Sequence, residues 1–123
     1  METIARMVRE IRAVRPDICI FVDNCYGELT EDVEPTHPSV GADLVAGSLI
    51  KNLGATIMPT GGYVCGKAKY VRLAQNRLTA PGVEGCASLG LHKTLLQALF
   101  LAPQMVGESV KSAHLVAHVM ANA

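Results

Sequence analysis

The run Ile18-Cys19-Ile20-Phe21-Val22 does most to limit what this chain can become. It is unbroken, apolar and rich in β-branched and aromatic residues. A strand built from it has no polar face and must be covered on both sides, as in a parallel sheet flanked by helices. Upstream, Ile4, Met7, Val8, Ile11 and Val14 recur at helical spacing, with Arg6, Arg9, Glu10 and Arg12 between them. That pattern predicts an amphipathic helix ended by Pro16, with Asp17 leading into the strand. Helix, turn and buried strand form half of a βαβ unit, so the chain reads as α/β, with the opening strand of that unit expected upstream of Met1.

A second strand is expected over residues 44–46, within Asp43-Leu44-Val45-Ala46-Gly47-Ser48-Leu49-Ile50-Lys51-Asn52. Its outcome is a lysine, a residue that strongly prefers water, placed just past a buried strand. Two explanations stand side by side. Lys51 snorkels, its head reaching solvent at the strand end. Alternatively Lys51 is held desolvated as a nucleophilic amine for Schiff-base formation with a carbonyl, most often that of pyridoxal phosphate. The first strand ends in Asp23-Asn24. A carboxylate there and a lysine after the next strand are the pair a pyridoxal site needs: one keeps the pyridinium nitrogen protonated and the other holds the aldehyde carbon.

Four stretches carry a resemblance to a known family. They are Phe21-Val22-Asp23-Asn24-Cys25-Tyr26-Gly27-Glu28, the segment Gly41-Ala42 running on through Asn52, Pro59-Thr60-Gly61-Gly62-Tyr63-Val64, and Arg77-Leu78-Thr79-Ala80-Pro81-Gly82. Together they resemble the methionine gamma-lyase-like proteins, also labelled aluminium resistance proteins, which are similar to the cystathionine lyases and synthases of fold type I. The resemblance implies a mostly parallel sheet with one antiparallel strand near residues 63–65, packed by helices. It also implies that residues 1–123 are a partial large domain, with the phosphate-binding part and ring-stacking residue upstream and the small domain downstream.

The same resemblance implies pyridoxal 5'-phosphate as cofactor, carried as a covalent aldimine on Lys51. Lys51 then serves as general base toward the substrate Cα proton, and Asp23 binds the pyridine nitrogen. Ser48 matches a serine that contacts the cofactor phosphate, Ile50 stands where many relatives carry threonine, and Asn24 is placed to orient nearby cofactor groups. The implied activity is a carbon–sulfur lyase acting on a small sulfur amino acid, within a homo-oligomer of full-length subunits. The alternatives are an inactive remnant, or another pyridoxal reaction such as transamination or γ-replacement.

Composition removes other classes. Eleven basic and eleven acidic residues leave no net charge, and there is no Trp, so neither nucleic acid nor an anionic membrane is an expected partner. No apolar run reaches the ~20 residues a membrane helix needs. The charged N-terminus lacks a signal-peptide pattern. Cys19, Cys25, Cys65 and Cys86 form no Cys-x-x-Cys pair, so a reducing, cytoplasmic setting is expected. Cys19 and Cys65 read as small hydrophobes inside strands, and Cys25 reads as structural because no basic residue adjoins it in sequence. The acidic, proline-bearing stretch 26–40 reads as a solvated loop.

Further on, a helix is expected over residues 67–78, broken at 79–82. After a small-residue stretch at 85–90, two helices are expected, over 89–101 and 104–120, with Pro103 opening the second. His114 and His118 share a helical face, but they lack the Glu of a His-Glu-x-x-His motif and read as a solvent or interface pair. His92 reads as structural. No metal is expected.

Overall fold

The computed structural model describes residues 1–78, 80, 82–83 and 90–123. The chain begins with helix α1 (Glu2–Val14), followed by strands β1 (Phe21–Asp23) and β2 (Leu44–Ser48) and a single 3-10 turn over Asn52–Gly54. Strand β3 (Gly62–Gly66) and helices α2 (Ala68–Leu78) and α3 (His92–Ala121) complete it. The sheet order is β1-β2-β3. β1 lies parallel to β2 and β3 lies antiparallel to it, as expected.

The first strand is shorter than its apolar run. Ile20 gives its amide to the Asp43 side chain at 2.7 Å, and its carbonyl accepts the amides of Asp43 and Leu44. Arg12 takes the carbonyls of Pro16 and Ile18 at 2.9 and 2.7 Å. The backbone before Phe21 is therefore tied to side chains and to the entry of β2, and ladder pairing starts only at Phe21. The two-sided cover expected of this strand is not found. β1 is an edge strand, and Ile18 and Phe21 are exposed. Cys19 and Cys65 are exposed too, which corrects their reading as buried hydrophobes. Among the described residues only β2 has a strand on each side, and Val45 at its centre is buried.

Two clusters supply the core. Val8 of α1 meets Ile20 and Ala42, with Ile4 and Val22 alongside. Leu49, Ala55 and Met58, from the connection between β2 and β3, meet Ala98 of α3, with Leu53, Tyr63, Leu95, Leu101 and Met105 around them. Ala98, Ala102 and Val106 are the buried residues of α3 and recur every fourth position, so they mark the centre of the face that packs, with Leu95, Leu101 and Met105 beside them.

α3 replaces the two helices expected around Pro103. It is one helix with the proline inside it. Proline removes one backbone hydrogen bond, but the leucines, alanines and glutamines on both sides are strong helix formers. α2 starts at Ala68, one residue later than expected, and ends at Leu78. The break at 79–82 and the stretch 85–90 fall largely on residues outside those described, as does Cys86. No helix is long and apolar enough to cross a membrane among the described residues.

Candidate functional site

The parallel register sets Asp23 of β1 beside Ala46 of β2, so both strands deliver their carboxyl ends to the same side. The Asn24 amide adds one more bond, to the Ala46 carbonyl at 2.8 Å. β1 then turns over its own side chain: Asp23 Oδ1 accepts the Cys25 amide at 3.0 Å, as Asx turns do. Tyr26 follows in the left-handed region, at φ 70°.

On the neighbouring strand, Ser48 is the last residue of β2, and its Oγ accepts the Ile50 amide at 3.3 Å. Lys51 opens the 3-10 turn, its carbonyl accepting the Gly54 amide at 2.9 Å. That turn requires glycine, because a Cβ on Gly54 would lie 1.5 Å from the Leu49 carbonyl oxygen.

Lys51 and Asp23 come together over the Cys25-Tyr26 turn. Lys51 Nζ stands 4.7 Å from the centre of the Tyr26 ring. Hydrogen bonding to the Cys25 side chain is the main influence raising the Lys51 amine above its ordinary value. Burial is the next influence and opposes it, and the charges of Cys25, Tyr26 and Asp23 add to the rise. Asp23 is held below the usual carboxylate range, first by the Cys25 side chain and amide, with the Lys51 charge adding to the effect. Of the two explanations for Lys51, the desolvated amine is not the one its surroundings favour, since burial is outweighed. The strand ends are open, and the amine is an ammonium among groups that favour its charge. Cys25, read as structural for want of a basic neighbour in sequence, has Lys51 as that neighbour in space.

Asn24 points elsewhere. It is 5 % exposed, and its Nδ2 donates to Glu34 at 2.7 Å. Glu34 also takes the Leu29 amide at 3.1 Å, and Glu28, 4 % exposed, accepts the Tyr63 hydroxyl at 3.0 Å. The stretch read as a solvated acidic loop is therefore partly a buried polar network that fastens the loop to β3. Burial pushes the Tyr63 phenol well above its ordinary value; Asn24 opposes this, and the charges of Glu28 and Glu34 add to it. Gly47 makes room for the network, since a Cβ there would sit 2.2 Å from Glu28 Oε1 and 2.5 Å from the Tyr63 ring. The sequence signal for these anchors was slight: one glutamate after a glycine, another before Pro35, and one tyrosine after a glycine pair.

Two apolar cavities of about 420 and 390 Å³ flank Gly62 and Tyr63, and neither is lined by Asp23, Ser48 or Lys51. His114 and His118 are exposed on α3, and no cluster of metal-ligating side chains occurs among the described residues.

The donor set suits pyridoxal phosphate: an ionised carboxylate at one strand end, a lysine just past the next, and at the end of that second strand a serine hydroxyl that accepts from Ile50 and keeps its own proton to donate.

Comparison with known proteins identifies relatives of the chain. The sequence model of a family described as methionine gamma-lyase matches residues 1–123. A structure from Listeria monocytogenes, provisionally named a cystathionine beta-lyase involved in aluminium resistance, superposes with a TM-score of 0.89 at 43% identity, over 98% of this chain and 31% of that one. A carbon-sulfur lyase involved in aluminium resistance from Clostridium novyi gives 0.83 at 46% identity, over 91% and 27%. The uncharacterized protein YnbB of Bacillus subtilis is 47% identical over 112 residues, which are 89% of this chain and 26% of that protein. The chain thus spans about a quarter to a third of the length of these relatives.

Proposed function

Because the chain belongs to the methionine gamma-lyase family, we propose that it is the lysine-bearing part of a pyridoxal-phosphate-dependent carbon–sulfur lyase acting on a small sulfur amino acid. One observation carries the reading: adjacent parallel strands bring Asp23 and Lys51 together at their carboxyl ends.

When bound, pyridoxal phosphate supplies the electron sink for cleavage at the substrate Cα. Asp23, held ionised by Cys25, is the group for the ring nitrogen. Its negative charge keeps a proton on that nitrogen. Lys51 Nζ would be the atom that holds the cofactor covalently and, as a free amine, the base for the Cα proton. Ser48 Oγ keeps its own proton free for a phosphate oxygen, since it accepts from Ile50. Asn24, its side chain taken up by Glu34, contributes by holding the end of β1 against β2.

The test is borohydride reduction of the protein mixed with pyridoxal phosphate, followed by peptide mapping. The label is expected on Lys51, and Lys51→Arg should remove it. Equal labelling of Lys67, Lys69, Lys93 and Lys111 would remove the pyridoxal reading.

A further inference from the structure

Tyr26 is placed at a conformational cost that its own burial does not offset. A bulky side chain at φ 70° is an outlier, costing on the order of 1–3 kcal/mol, and such strain survives only where the surroundings fix it. Tyr26 is 60 % exposed, so core packing is not what holds it. What holds the backbone is the turn itself: Asp23 Oδ1 takes the Cys25 amide, and the Gly27 amide donates to the Asn24 carbonyl at 2.8 Å. What the ring meets is the Lys51 ammonium, 4.7 Å from its centre. A cation over an aromatic face at that distance is attracted by the ring quadrupole.

We propose that Tyr26 is a positioning residue for Lys51, its ring a resting platform that keeps the protonated amine at the ends of β1 and β2 whenever Lys51 is not covalently engaged. The proposal rests on the use of Lys51 argued above, and it adds a residue to that site. One side chain, Asp23, thereby serves twice. Its charge faces the same region as Lys51, and its Oδ1 shapes the turn that presents the platform. A lysine that must be released and recaptured gains from such a platform, because a free four-carbon stem otherwise samples many rotamers in solvent.

The experiment is reductive methylation of the 123-residue protein with formaldehyde and cyanoborohydride at neutral pH, each lysine followed by mass spectrometry. Formaldehyde reacts with the free amine, so loss of the platform should speed labelling of Lys51. In Tyr26→Leu, labelling of Lys51 should rise by about two- to fivefold, the equivalent of an exposed cation–π contact, while Lys67, Lys69, Lys93 and Lys111 stay unchanged. Tyr26→Phe keeps the ring and should match the parent. Tyr26→Gly, which also relieves the positive φ, should raise Lys51 labelling as Leu does while making the fold no less stable. An unchanged Lys51 rate in Tyr26→Leu, a Phe variant that behaves like Leu, or a rise shared by all lysines would overturn the proposal. Borohydride trapping with pyridoxal phosphate on the parent is scored separately. The formaldehyde pattern without a pyridoxal label on Lys51 would retain the platform and discard the cofactor reading.

Discussion

Asp43 joins four parts of the molecule through one carboxylate. It is 1 % exposed, accepts the Ile20 amide at 2.7 Å, pairs with Arg12 of α1, and meets Lys67 before α2 at 2.6 Å. Burial alone would raise its carboxyl, but the bonds from Lys67, the Ile20 amide and Arg12 outweigh burial and bring it to about 2, below the ordinary 3.8. A carboxyl depressed in the folded state stabilises the fold above its unfolded value, and that contribution disappears as pH falls from about 4 toward 2. Asp43→Asn should therefore cost about 1.5–3 kcal/mol at pH 7, the range for hydrogen bonds to a charged group. The gap between parent and variant in urea unfolding should narrow below about pH 3. A gap that stays constant with pH would show that the charge is not what stabilises. At Gly47, an added methyl has no room between Glu28 and Tyr63. Gly47→Ala should destabilise by about 1–3 kcal/mol through overpacking, and Tyr63→Phe combined with it should recover little, because the ring as well as the hydroxyl is in the way.

At the scale of elements, α3 offers the sharpest test. Pro103 lies within a continuous helix and is exposed, so Pro103→Ala restores a backbone hydrogen bond without disturbing the buried Ala98, Ala102 and Val106. The substitution should stabilise the fold by up to about 3 kcal/mol and raise helicity by circular dichroism. If Pro103 instead opened a second helix, alanine there would be neutral or worse. The elements differ in how far they were legible beforehand. α1, the end of α2 and the parallel and antiparallel pairings followed from hydrophobic spacing, proline positions and family resemblance. So did the arrival of Asp23 and Lys51 at neighbouring strand ends. The errors share a physical origin in what surrounds each segment. An apolar run does not say whether it is central or at an edge, so Phe21 was expected inside and lies outside. Proline weakens a helix without always ending it. Glu28, Glu34 and Tyr63 are polar residues whose partners lie far off in sequence, and nothing local marks them as buried. Cys25 and Lys51 likewise meet only through the parallel register.

For the whole molecule, the balance between covered and uncovered apolar surface decides its behaviour. Beyond Val106, α3 has no buried residue, and its exposed apolar side chains run from Leu96 and Phe100, 84 % exposed, to Leu115, Val119 and Met120. β1 adds Phe21 and β3 adds Val64, both on edge strands. Soluble monomers rarely leave contiguous apolar patches above a few hundred Å², and unpaired strand edges recruit other strands. The 123-residue chain in isolation should therefore self-associate with rising concentration in sedimentation velocity. Leu96→Glu with Phe100→Glu should weaken that association while leaving the buried face of α3 intact. The same openness bears on catalysis. Asp23 is exposed and lines a cavity of about 310 Å³ shared with α1, whose lining does not include Lys51, and water admitted to such a site hydrolyses a lysine–carbonyl bond and weakens every electrostatic contact. Incubated with pyridoxal phosphate and a thioether amino acid, this chain alone should trap label on Lys51 yet release no measurable oxo acid. Turnover by a monodisperse 123-residue monomer would show that the strand ends are enclosed well enough for the chemistry, and would overturn the expectations of self-association and of inactivity together.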